Sequence, residues 1–143
     1  MTGVEGWIRS ILVPVDGSPS SRRAVRLAAE MARAFDADLT LLHVESIREF
    51  PTLIAEANTA RDDDEAELVL GENVKIVRSL GMEPDVVLRR GAIANQILRV
   101  VALRRPDLIV MGTRGLTRAK GILMGSVSQT VSRRAKSQVV LVR

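Results

Sequence analysis

Three glycines and a serine stand at fixed spacing late in the chain: Gly112, Gly115, Gly125 and Ser126, the pattern G-x2-G-x9-G-S. With Gly121 between them, four of the chain's ten glycines fall within fourteen positions. Glycine packs no core and is entropically expensive to order, so such a cluster points to a need for bare backbone. The pattern follows an apolar run, Leu108 to Met111, and precedes the helix-like segment "SVSQTVSRRA". A helix entrance offers free backbone N–H groups and the positive end of a dipole, and glycine lets an anion approach them. The bare backbone is therefore expected to wrap a phosphate chain, with Arg114, Arg118 and Lys120 adding charge. Ser126 with Gln129 three residues on fits a capping box for that helix.

The second candidate is Asp16, in "PVDGSPSS". Asp-Gly is a common turn, but this one follows an apolar strand and faces the glycine stretch if the two strands are neighbours. Neither of the common phosphate loops fits. A Walker A loop needs Lys after its last glycine, and Gly125 is followed by Ser126; a dinucleotide fingerprint needs GxGxxG after the first strand, where this chain has "VDGSPSS". His43 is the single histidine and reads as a strand-end residue with a satisfied hydrogen bond. The acidic run "RDDDEAE", residues 61–67, reads as charge in the first turn of a helix rather than as a metal cluster. No catalytic residue and no metal ligand is identified. The chain has no cysteine, which excludes disulfides and thiolate chemistry.

The elements that must position these residues alternate between two periods. Residues 8–15 read as a strand, and "SPSSRRAVRLAAEMARAF" as a helix with Ser18 as N-cap and Pro19 first inside. Strands follow at 38–44, 85–90, 107–111 and 138–143, with helices from about 59 to 80, at 92–104 and at 126–135. Gly81 is a helix-ending glycine and the stretch around Phe50-Pro51 is irregular. Strands that are continuously apolar and alternate with helices imply one α/β domain over 1–143, Rossmann-like. Its five-stranded parallel sheet takes the order 3-2-1-4-5 with helices on both faces. In that order strands 1 and 4 meet at the topological switch point, where ligands bind.

Charge is unevenly distributed. Residues 1–88 carry 9 Lys and Arg against 16 Asp and Glu; residues 89–143 carry 12 against one, Asp107. The basic part suggests an anionic partner, or solvated helix faces. A nucleic-acid-binding module is the weaker reading, because single-strand binders stack bases on aromatics and none of the chain's three lies in the basic segment. No apolar run is long enough to cross a membrane, and the N-terminus does not read as a secretory signal, so the expected location is cytoplasmic.

The glycine spacing resembles the ATP-binding signature of the universal stress protein family, and "ILVPVDGS", "LLHV" and "DLIVMGTRG" are similar to that family as well. The resemblance implies a homodimer and ATP with a divalent cation, Mg2+ or Mn2+. It implies that Asp16 contacts the nucleoside, that Pro14 and Val15 line its pocket, and that the backbone of Val44 meets the adenine edge. Met111, Gly112, Arg114 and Gly115 would flank ribose and phosphates, and Gly125, Ser126, Val127 and Ser128 would hold the phosphates. One departure is visible: relatives often have Gly-x-Pro where this chain has Gly91-Ala92-Ile93. The resulting expectation is an ATP-binding regulatory or stress-response protein. Nucleotide would order the 112–125 loop and tune an unknown protein partner. A slow ATPase or phosphotransferase is the alternative, and it lacks a convincing base. The final strand is an edge with four consecutive apolar residues, Val139 to Val142, and is expected to join two copies.

Overall fold

The computed structural model describes residues 6–46, 52–114 and 124–143, and the side chains of its second helix from Asp64 onward. The elements run β1 (Ser10–Val15), α1 (Pro19–Phe35), β2 (Asp38–Glu45), α2 (Thr52–Ser79) and β3 (Asp85–Arg90). They continue through α3 (Ile93–Arg104), β4 (Leu108–Gly112), α4 (Ser126–Arg134) and β5 (Gln138–Val142). All strand pairs are parallel and the order is β3-β2-β1-β4-β5, as expected. The region around Phe50-Pro51, and Gly115, Arg118, Lys120 and Gly121, lie outside the described residues.

Strand alternation divides the core in two. Ile11, Val13, Leu39, Leu41 and Val110 face α1 and α2, whose Ala24, Ala28, Ala32 and Val77 are fully buried. Leu12, Leu42, Ile109 and Met111 face α3 and α4, against Ile97, Val100 and Val131. The alanine stripe of α1 lets that helix lie close on the sheet. Its start is fixed as expected: Pro19 stands in the first turn and the Ser18 hydroxyl oxygen accepts from Ser21 N–H at 3.2 Å. Gly81, at φ +81°, closes α2 in a conformation that glycine adopts without strain.

Two local expectations are corrected. The helix α2 begins at Thr52, not near 59, so the acidic run at 61–67 falls in its interior rather than its first turn. The N-cap of α4 is Gly125, with φ −70° and ψ 159°, and Ser126 is already helical; no side chain caps this end, so the capping box is absent. Ser and Gln three apart are compatible with a box, but the backbone of Gly125 takes the extended cap conformation one residue earlier.

The sheet opens at its centre. β1 pairs with β2 over six residues but with β4 only at Ile11–Leu108 and Leu12–Ile109. Ser10 O accepts from Asp107 N–H, so Ser10, Leu12 and Pro14 turn their backbone groups toward β4. Pro14 has no N–H, and it stands where the next bond to β4 would be donated. A proline thus ends the β1–β4 ladder and starts a crevice at the switch point.

Candidate functional site

The crevice lies between the ends of β1 and β4. Its first wall is the loop Asp16-Gly17-Ser18. Asp16 Oδ1 accepts from Ser18 N–H at 2.9 Å, and Asp16 N–H donates to the Ser21 hydroxyl at 3.2 Å. Asp16 is therefore a turn residue, half-buried, at the mouth. Gly17, at φ +82°, supplies the left-handed step that follows.

The second wall is Gly112-Thr113-Arg114. A Cβ on Gly112 would collide with Ser20 Oγ and lie 2.9 Å from Ser20 C and Ser21 N. This glycine admits the first turn of α1, and its bareness is a packing requirement. The two walls are tied together: the hydroxyls of Ser20 and Ser18 donate to Arg114 O at 2.6 and 3.2 Å. Ser20 was not singled out in the sequence, although "SPSS" after a strand offers hydroxyls at a helix start and was a usable signal.

The glycine segment is pinned at both ends. Thr113 N–H donates to Val142 O at 2.8 Å, and Thr113 O accepts from Gly125 N–H at 2.5 Å and from the Ser128 hydroxyl at 3.0 Å. Gly125 and the start of α4 are thereby fixed beside the end of β4. The α4 N-terminus has no acidic residue in its first turn, so no acid of that turn competes for the positive end of the dipole. The N–H groups of Ser126, Val127 and Ser128 have no partner within the helix.

The other expected site residues divide clearly. The side chain of Val15 is in the α1–α2 core, and those of Val44, Met111 and Val127 are in or against the α3–α4 core. Pro14 is also buried. These residues offer a ligand backbone and surface, not functional groups. Arg114 is exposed, Ser126 is exposed, and Ser128 is buried with its proton committed to Thr113 O and Gly125 O. His43 behaves as expected for a strand-end residue, its Nδ1 bonded to Val15 O at 2.7 Å. Glu45 was missed: it is buried at the end of β2 and pairs with Arg90 Nε at 2.7 Å. Nothing in its strand-like sequence context marks that pair. Among the described residues no group of three His, Asp or Glu side chains could hold a metal. The backbone-lined helix entrance is equipment for holding an anion, and the Asp16 carboxylate stands at the mouth as a hydrogen-bond acceptor.

The universal stress protein family model matches residues 8–143. A universal stress protein of Thermus aquaticus is 34% identical over 138 residues, covering 94% of this chain and 98% of its own. Among solved structures, the universal stress protein UspA from Lactobacillus plantarum superposes with a TM-score of 0.86 at 23% identity, over 95% of this chain and 98% of that one. A universal stress protein in complex with cAMP superposes with a TM-score of 0.77 at 26% identity, over 96% and 99%. On fold, on sequence and over nearly its whole length, the chain belongs to the universal stress protein family.

Proposed function

We propose that this chain is an ATP-binding regulatory protein and that the crevice is its nucleotide site. One observation carries the reading: the acid-free N-terminus of α4 is tied through Gly125 N–H and Ser128 Oγ to Thr113, directly across from the Asp16 turn. Such an entrance takes phosphate. The cAMP complex of a relative shows that a protein of this fold takes an adenine nucleotide, and supports the same ligand class here.

In this reading Asp16 Oδ2, which has no hydrogen-bond partner among the described residues, meets the nucleoside. Pro14 and Val15 floor the pocket, and the Val44 backbone meets the base edge. Gly112, Arg114 and Gly115 flank ribose and phosphates, and Gly125 to Ser128 hold the phosphates. A divalent cation, Mg2+ or Mn2+, would be held chiefly by phosphate oxygens, which suits a site with one carboxylate. Binding would fix the 112–125 segment in one arrangement and alter the surface offered to a protein partner. The whole of 1–143 acts as one domain, and two copies join through β5.

The test is direct. The purified protein is denatured, and released nucleotide is separated by chromatography and identified by mass. ATP in near-stoichiometric amount is expected. No nucleotide released, together with no heat on titrating ATP with Mg2+ into the nucleotide-free, refolded protein, overturns the reading.

A further inference from the structure

The end of the sheet where the strands begin, opposite the crevice, gathers very exposed apolar side chains: Trp7 is 94% exposed, Leu103 76% and Phe35 44%. The turns that carry them are sewn together. Asp38 N–H donates to Arg9 O and Asp107 N–H to Ser10 O, both at 2.9 Å, and the Ser137 hydroxyl donates to Pro106 O at 2.7 Å. The segment holding Trp7 therefore lies beside the α3–β4 turn with Leu103 and Arg105, and that turn lies beside the α4–β5 turn with Arg133, Arg134 and Lys136. These four cations are exposed and form no ion pair among the described residues. Asp107, the single acid of residues 89–143, spends Oδ2 on the N–H groups of Arg9 and Ser10. Arg104 turns away, toward Thr40 Oγ1 at 3.1 Å and Asp85 Oδ2 at 3.9 Å. Besides Asp107, the exposed acids of this end, Asp36, Asp38, Glu83 and Asp85, are on the β2 and β3 side.

No aromatic lies in the basic segment of the sequence, but the fold brings the segment that carries Trp7 beside it, because Arg9, two residues on, donates its N–H to Asp107 Oδ2 at 2.8 Å. We propose that the β1–β4–β5 half of this end binds single-stranded nucleic acid, with a base stacked on Trp7 and phosphates along Arg105, Lys136, Arg134 and Arg133. Every base has a π-face, so an exposed indole serves any sequence, and guanidinium groups supply the charge. A strand can follow the basic half alone. A bilayer is a plane, and it would press Asp36 and Asp38 into anionic headgroups as well. The surface is independent of the crevice, so the inference does not rest on the nucleotide reading.

Trp7 is the chain's single tryptophan, and its fluorescence reports this surface alone. The full chain is titrated with a fifteen-residue oligo-dT at about 0.15 M salt, near physiological screening. Saturable quenching of Trp7 is expected, with log affinity falling against log salt at a slope of about −3 for four phosphates. The triple variant Arg133→Glu, Arg134→Glu, Lys136→Glu should bind at least tenfold more weakly and flatten that slope. Trp7→Ala, read by anisotropy of a labelled oligo-dT, should bind roughly fivefold or more weakly, and Trp7→Phe should recover most of the loss. Saturating ATP should change none of these values. No quenching, undiminished binding by the triple variant, or displacement by ATP would each overturn the proposal. So would partition onto phosphatidylserine vesicles without affinity for oligo-dT, which would make the surface a membrane contact.

Discussion

Two glycines of one motif do different work, and the difference is testable residue by residue. Gly112 is bare because α1 is there: a methyl group would lie 2.9 Å from two backbone atoms of Ser20 and Ser21. Gly112→Ala should therefore lower stability by about 1–3 kcal/mol, the usual consequence of overpacking. Chemical denaturation checks it, and an unchanged midpoint would mean that α1 yields without strain. Gly125, at φ −70° and ψ 159°, sits in a region that β-branched residues favour. Gly125→Val should keep the fold and lose ATP, because the side chain would stand at the phosphate entrance. Unchanged binding by calorimetry, with an unchanged circular dichroism spectrum, would remove Gly125 from the site. The sequence displayed both glycines and their spacing. It could not distinguish them, because the reason for Gly112 is Ser20, more than ninety positions away.

At the scale of elements, residues that punctuate were legible and residues that continue were not. Ser18-Pro19 starts α1 and Gly81 ends α2 for local reasons, which the residue types state by themselves. The start of α2 is different. Its mean amphipathicity is weak, so periodicity alone placed the helix seven residues short. The α4 cap was misplaced by one residue for a related reason: Ser126 and Gly125 are both good N-caps, and the bond from Gly125 N–H to Thr113 O selects between them. The end of α2 carries a bidentate pair, Arg78 Nε and Nη2 on Glu83 Oε2 and Oε1 at 2.8 and 2.7 Å. The hydrogen bonds from Arg78 hold the Glu83 carboxyl below its ordinary range and raise the guanidinium. A depressed carboxyl stabilises the fold above its unfolded value, and that contribution fades as pH falls through the folded value. Glu83→Gln should therefore lower Tm slightly at pH 7, only slightly because the pair is fully exposed, and converge with the natural chain at acid pH, so that its acid limb is shallower. An identical acid limb in the variant would show that the pair contributes nothing in solution.

At the scale of the whole molecule, the strand order leaves β5 at an edge with only β4 beside it. Val139 to Val142 are half-buried in the single chain, although all four are apolar. No proline interrupts them, and no charge points inward. Such an edge invites pairing, and a two-fold axis would bring two copies together antiparallel. The geometry says which amides would report it. Val142 O accepts from Thr113 N–H, so Val142 faces β4, and by alternation Val140 does too. Val139 and Leu141 then turn their N–H groups outward, where a second copy would protect them. Sedimentation at micromolar concentration should show twice the chain mass of 15.6 kDa. Amide exchange at Val139 and Leu141 should be slow in the dimer and should accelerate on dilution, while Val140 and Val142 stay protected throughout. A dimer in which Val139 and Leu141 exchange freely would place the interface on another surface, and a single species at the chain mass would remove it altogether.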